Sequence, residues 1–229
     1  MQSLLEGHDR FHREVFPKHA TLFNHLASGQ KPSALFLTCA DSRVVPDMIL
    51  QSSPGDLFIC RNAGNIVPPY GEATGGVSAT IEYAVLALGI ENIIICGHSD
   101  CGAMKAVLSG KQHANMPTVD AWLKHSTAAM RILEQHDAHA IHTAVEEHDA
   151  YARLRALTRA NVIAQLNHLQ TLPSVAAALI SGKMNLYGWV YDIQSGRIQS
   201  YDAQQGRFIS LSADIPASVH QPRLQLMAS

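Results

Sequence analysis

Three short, unbroken apolar runs constrain the fold of this chain more than any other feature: Ala34–Thr38, Leu57–Cys60 and Asn92–Cys96. A strand with one wet face alternates apolar and polar residues, whereas a strand covered on both faces is apolar throughout. The runs therefore suit the interior of a parallel sheet, and the segments between them read as its crossovers. Val77–Leu88 follows Gly75-Gly76, is strongly apolar and stops at Gly89. Val119–Leu133, Ala150–Leu172 and a segment from Pro173 to near Gly182 carry apolar residues at helical spacing. Strand and helix alternate, which favours right-handed βαβ units. The expected class is α/β, with a mostly parallel central β-sheet flanked by helices.

The two ends differ from this middle. Leu4, Leu5, Phe11, Val15, Leu22, Phe23 and Leu26 recur at helical spacing, and Pro17 interrupts them. Two short amphipathic helices are expected there, forming an N-terminal helical arm over residues 1–30. Leu186–Tyr191 and Arg197–Tyr201 flank the turn Asp192–Gly196 and predict a C-terminal hairpin. The tail after about Ala213 holds Pro216 and Pro222 and reads as irregular. With no repeat, low-complexity tract or linker in view, one domain over residues 1–229 is expected.

Composition removes several functions. A hydrophobic share of 47% allows a sizeable core, and a net charge of −2 argues against nucleic acid or an anionic membrane as partner. The N-terminus has early acidic residues and no continuous apolar leader, and no apolar stretch is long enough to span a bilayer. Cytoplasmic residence with reduced thiols is the expectation. Four cysteines are too few for a disulfide scaffold, so each needs its own account.

Two of them stand just after apolar runs. Cys39-Ala-Asp41-Ser-Arg43 follows the first run, and His98-Ser-Asp-Cys101-Gly102 follows the third. Open parallel sheets bind ligands at the carboxyl ends of their strands, so Cys39, His98 and Cys101 can converge there. Two thiolates and an imidazole suit zinc, and three protein ligands leave one position open for catalysis. Two thiolates also cancel the +2 charge, which makes a weaker Lewis acid than three imidazoles would. Asp41 can accept a hydrogen bond from a hydroxide in the open position, held in place by a bidentate pair with Arg43. If that pair broke, Asp41 could become a fourth ligand.

Each of these residues also has a plainer role. A cysteine at a strand end can be a small buried hydrophobe, and Asp-x-Arg a local ion pair. On the residues alone, a metal site and an ordinary core stand side by side. Cys60 and Cys96 lie inside apolar runs and read as core, and His8 and His12 read as a solvated helix face. Rival chemistries lack their spacing. There is no Cys-x5-Arg, no Cys-x-x-Cys, no His-x-Glu with Pro-Cys-x-x-Cys, and no Gly-x-Gly-x-x-Gly after a strand. Gly71–Gly76 has no Walker lysine and reads as a helix-entry turn.

Taken together, these segments resemble the β-class carbonic anhydrases. The likeness rests on Cys39-x-Asp41-x-Arg43 and His98-x-x-Cys101-Gly102, with Pro54-Gly-Asp-Leu-Phe58, Arg61-Asn-Ala-Gly-Asn65, Glu82-Tyr83-Ala84 and Gly188-Trp-Val-Tyr-Asp192 in the same order. It covers roughly residues 25 to 210 and is nearest to bacterial enzymes of the cyanate-degradation type, with a plant-like active site. The resemblance implies one zinc ion per chain on Cys39, His98 and Cys101. It also implies reversible hydration of carbon dioxide to bicarbonate and a proton by attack of zinc-bound hydroxide, with Asp41 and Arg43 as the catalytic dyad. Gln30, Phe58 and Tyr83 are implied as substrate-binding residues supplied by the neighbouring subunit, and the Gly102 N–H as a contact to substrate oxygen. A homodimer, often paired into a tetramer or larger assembly, is implied too, with the N-terminal arm packed on the partner chain. Ala63 stands where some members carry valine, which implies a looser pocket wall. Phe36 stands where bicarbonate-inhibited members carry tryptophan, so the open zinc site is expected. Two other readings keep a zinc site: hydrolysis of another heteroallene such as carbon disulfide, and a non-catalytic assembly module with four saturated ligands.

Overall fold

The structure, a computed structural model, describes residues 1–72, 75–140 and 150–212. The N-terminal arm runs through α1 (Gln2–Arg10), a wide π-helical turn (Phe11–Val15), a tight 3-10 turn (Phe16–His19) and α2 (Ala20–Leu26). Two separate helices were expected, but the helical path continues across Pro17. The proline sits early in the tight turn, where its missing N–H costs least, and the wider turn before it takes up the mismatch. Phe11, Phe16 and Phe23 gather into one ring cluster, with Phe16 and Phe23 stacked at 5.1 Å. No residue of the arm is buried, and Leu4 and Leu5 are 68% and 59% exposed.

The rest of the described chain is β1 (Ala34–Cys39), α3 (Pro46–Leu50), β2 (Leu57–Asn62), α4 (Gly76–Leu86), β3 (Asn92–His98), α5 (Gly102–Ser109), α6 (Pro117–Leu123), α7 (Thr127–Ala140), α8 (Ala150–Thr171), α9 (Pro173–Ile180), β4 (Asn185–Tyr191), β5 (Ile198–Asp202) and β6 (Arg207–Ser210). The six strands form one sheet in the order β2-β1-β3-β4-β5-β6. The first four are parallel, while β5 and β6 run antiparallel to their neighbours. The three apolar runs are therefore adjacent parallel strands. The expected C-terminal hairpin forms between β4 and β5, and β6 extends it into a meander. The helix read at Val119–Leu133 is broken by a tight turn at Lys124–Ser126, which puts Ser126 into the interior. The irregular tail after residue 213 lies outside the described residues, as does part of the turn at 71–76.

Burial follows the pleat. Leu35, Leu37, Ile93 and Ile95 face α4, α8 and α9, whereas Phe36, Ile94 and Cys96 face the opposite side with Trp189. The middle of α8 crosses β3 and β4 closely because two strand positions lack a side chain. A Cβ on Gly188 would sit 2.8 Å from Leu166 Cδ1 and 2.9 Å from Val162 Cγ1, and one on Gly97 3.0 Å from Val162 Cγ2. The chain leaves β1 towards one sheet edge and returns to β3 on its other side. That divergence opens a crevice at the carboxyl ends of β1 and β3.

Candidate metal centre

Cys39 is the last residue of β1, His98 the last of β3, and Cys101 stands just before the first residue of α5. All three are buried, and their ligand atoms lie within 4.8 Å of one another. The His98 ring has a defined tautomer. Its Nδ1 lies 2.8 Å from the Ser99 carbonyl, which can only accept, so Nδ1 carries the proton. Nε2 is left with a lone pair, is buried, and has no hydrogen-bond partner. A buried unpartnered acceptor aimed at two sulfurs costs free energy unless something electrophilic meets it. Ser99 is itself fixed, since its N–H donates to Tyr191 O at 2.8 Å and its Oγ accepts from Ile193 N–H at 2.9 Å.

The two thiols behave as one unit. Hydrogen bonding from Cys101, supported by the N–H groups of Gly64 and Asp41, lowers the Cys39 pKa far below its ordinary value, against the effect of burial. The charge so formed raises Cys101, with burial acting in the same direction. One proton leaves readily and the second is held until a cation compensates it. The Gly64 N–H reaches Cys39 Sγ at 3.4 Å from a strained turn, where Gly64 has φ +82° and Asn65 φ 48°. Only glycine fits at position 64, because a Cβ would meet Ala103 Cβ at 2.9 Å. By contrast, burial pushes the Cys96 thiol up to about 12 and also raises Cys60, as suits core cysteines.

Asp41 and Arg43 stand beside this group as a closed fork. Arg43 Nε donates to Asp41 Oδ1 at 2.9 Å, Nη2 to Oδ2 at 2.8 Å, and the Arg43 N–H to Oδ1 at 3.0 Å. These bonds hold the Asp41 carboxyl well below the usual carboxylate range. Asp41 Oδ2 lies 3.9 Å from His98 Nε2, with both carboxylate oxygens turned to the guanidinium.

Several supporting residues carry no sequence signal strong enough to single them out. Asp100 adopts φ 59° and grips Arg43 twice, accepting Nη1–H on Oδ2 at 3.0 Å and Nη2–H on its carbonyl at 3.2 Å, while its other oxygen pairs with Lys105 Nζ. Arg61 donates to the carbonyls of Cys39 at 3.1 Å and Asp41 at 2.7 Å. From α8, Asn161 donates to Gly64 O at 3.0 Å, and Gln165 Oε1 accepts from Val67 N–H at 2.8 Å. These buried amides hold the 62–67 turn against the cysteine. The Ala63 carbonyl accepts from Trp122 Nε1 at 2.8 Å.

Of the remaining expected site residues, Phe58, Tyr83 and Gln30 lie elsewhere in the single chain. Phe58 pairs in register with Leu35, four positions along β2 from Asn62, which pairs with Cys39. At about 3.3 Å per residue that is roughly 13 Å away. Tyr83 sits with it, ring centroids 6.0 Å apart, and Gln30 borders a hollow with Leu26 and Gly55 ahead of β1. Gly102 opens α5 beside Cys101.

Comparison with known proteins agrees with this geometry. The family profile described as carbonic anhydrase matches residues 34–198. A carbonic anhydrase of Pseudomonas aeruginosa is 50% identical over 212 residues, covering 93% of this chain and 92% of the relative. Among solved structures, the β-carbonic anhydrase CcaA aligns with a TM-score of 0.87 and 41% identity, covering 95% of this chain and 94% of that one. A structure from a study of two tetrameric β-carbonic anhydrases of Sordaria macrospora aligns with a TM-score of 0.75 and 30% identity, covering 87% and 95%. With this fold, this cysteine–histidine group and these relatives, the chain belongs to the β-class carbonic anhydrases and is an enzyme of that family.

Proposed function

We propose that this chain catalyses the reversible hydration of carbon dioxide to bicarbonate and a proton, using one zinc ion held by Cys39, His98 and Cys101. The observation that carries the reading is the buried, unpartnered Nε2 of His98 set against two sulfurs beside a carboxylate locked to a guanidinium. The donor set fits the metal: the tautomer leaves the correct nitrogen free, one thiol ionises readily, and two sulfurs with one imidazole suit zinc. When bound, zinc supplies the Lewis acidity that lets water act as a nucleophile near neutral pH.

The chain's own residues do the rest. Asp41 stays ionised and can only accept, so it orients the proton of the attacking water species and frees its lone pair for carbon. Arg43 keeps that carboxylate off the metal, which supports the open form of the site. The Gly102 N–H, in the first turn of α5, has no acceptor within its own helix and suits charge growing on a substrate oxygen. Gln30, Phe58 and Tyr83 serve the site of the neighbouring subunit, since within one chain they lie at the other end of the sheet. The exposed apolar arm and the tetrameric Sordaria enzymes support a homodimer that pairs further.

The whole chain acts as one domain in the cytoplasm, with neither nucleic acid nor membrane as partner. Four free cysteines support a reducing compartment, and among the described residues no helix is long and apolar enough to cross a membrane. Stopped-flow comparison of carbon dioxide and carbon disulfide on the zinc-loaded enzyme tests the substrate. Fast turnover of carbon dioxide alone is expected; turnover of carbon disulfide alone would transfer the site to the other heteroallene.

A further inference from the structure

Away from the metal centre, the cleft between α8 and the β4–β5 hairpin gathers positive charge that hydration does not use. A cavity of about 470 Å³ has Arg155 and Arg159 of α8 on one wall, Arg197 and Gln199 on the other, and Ser99 among its lining residues. Arg159 is half-buried. It donates Nη2–H to Gln199 Oε1 at 2.7 Å and lies 5.8 Å above the Phe208 ring, so its position is fixed on two sides. Burial, and then the charge of Arg155, lower its pKa, which is the mark of a cation held near another without compensation. Among the described residues, the exposed guanidiniums of Arg155 and Arg197 make no hydrogen bond and no direct ion pair, and Arg155 acts on Asp192 only through its charge.

Asp192, the one carboxylate in this lining, feels the charge of Arg155 and offsets one of the three guanidiniums. Asp192 Oδ1 accepts the Ser195 N–H at 2.8 Å and the Ser195 hydroxyl at 2.6 Å, and the carboxylate is bonded by Ser99 as well. Two positive charges are left over in a cavity of small-molecule size, since such sites run from about 300 to 1,000 Å³. Guanidinium forks match tetrahedral oxyanions, and a dianion would compensate the excess where a single carboxylate or bicarbonate would not.

We propose that the cleft formed by Arg155, Arg159 and Arg197 is a binding site for a phosphate dianion, either free or carried as a phosphomonoester. The site borders the metal centre through Ser99, whose carbonyl holds His98 Nδ1. Its test therefore reads binding directly and does not depend on turnover.

Isothermal titration of the zinc-loaded enzyme in its native assembly uses inorganic phosphate in one arm and glycerol 3-phosphate in the other. Both are run in saturating azide, so that the open metal position is already taken. One saturable site per chain is expected, weakened at least about ten-fold in the R155Q/R197Q double variant because its forks and charge are gone. Tighter binding of the ester would identify the ligand as an organic phosphate, and tighter binding of the free ion as phosphate itself. The charge-keeping R155K/R197K variant, which guards against a folding defect, is expected to lose only about a few-fold. No saturable binding of either probe, binding unchanged in R155Q/R197Q, or binding abolished by azide would overturn the proposal. Carbon dioxide hydration by both variants should match the parent enzyme.

Discussion

At the carboxyl ends of β1 and β3, every element of the metal centre comes from one chain and is fastened from behind. Cys39, His98 and Cys101 are buried, the imidazole is tied to Ser99, and the carboxylate beside them is forked by Arg43. Near the amino end of β2 the opposite holds. Tyr83 is 51% exposed, Gln30 borders an open hollow, and the neighbouring arm buries none of its apolar residues. The first region needs preorganisation, because ligand atoms with fixed lone pairs must already face a cation before it arrives. The second exposes apolar surface that nothing among the described residues covers, which suits the proposed contact with another copy. The contrast supports the proposal that one chain completes the metal ligand set while its neighbour supplies the substrate wall.

The strongest challenge to this contrast is at the fork. Asp41→Ala should keep zinc at one per chain yet lower the hydration rate by about 10²–10³-fold, as for loss of a preorganised polar group at a reacting centre. Equal loss of metal would instead make Asp41 a structural part of the ligand set. Next comes a mixing experiment on the open end. Gln30→Ala alone is expected to lose about ten-fold in kcat/KM. Reassembled with Cys39→Ser chains, it should regain activity, because each mixed dimer contains one site with intact ligands and an intact partner glutamine. No gain on mixing would place Gln30 in the service of its own chain.

A smaller effect tests the packing that carries His98. Gly188→Ala puts a methyl group within 2.9 Å of Leu166 Cδ1 and Val162 Cγ1, so the side chains by which α8 packs on the sheet must shift. Urea unfolding should show a loss of about 1–3 kcal/mol, typical of overpacking a filled core. The least change is expected with pH. Arg43 lowers the folded-state pKa of Asp41, so the pair's contribution is complete above the ordinary carboxylate range and disappears only as pH falls through the lowered value. Activity followed from about pH 9 to pH 6 should therefore show no steep, cooperative loss. Such a loss, accompanied by Asp41 on the metal, would mean that the fork opens easily.

Much of the closed end was legible in the chain itself. Short continuous apolar runs bounded by turn residues read as covered strands, and residues placed just after two parallel ones meet at one sheet edge. The division of the cysteines was legible for the same reason, since Cys60 and Cys96 belong to the second and third runs, whereas Cys39 and Cys101 stand in the segments that follow the first and third. The supports were not. Asp100 reaches Arg43 only because it adopts a left-handed backbone, and no pattern announces that in a non-glycine residue. Asn161 and Gln165 read as polar interruptions of an apolar helix until the turn they hold is in place. The five residues of α3 and the four of β6 are too short for a period to emerge. The arginine cleft is assembled from α8 and a hairpin distant in sequence, so only the fold reveals it.

The central claim is that Cys39, His98 and Cys101 hold the metal on which hydration depends. Zinc content and stopped-flow carbon dioxide hydration, measured on the same preparations of the parent chain and Cys39→Ser, test it most directly. The parent should hold one zinc per chain and hydrate carbon dioxide rapidly, and Cys39→Ser should lose metal and activity together. A parent fully loaded with zinc but without measurable hydration, or a Cys39→Ser enzyme that keeps both, would contradict it.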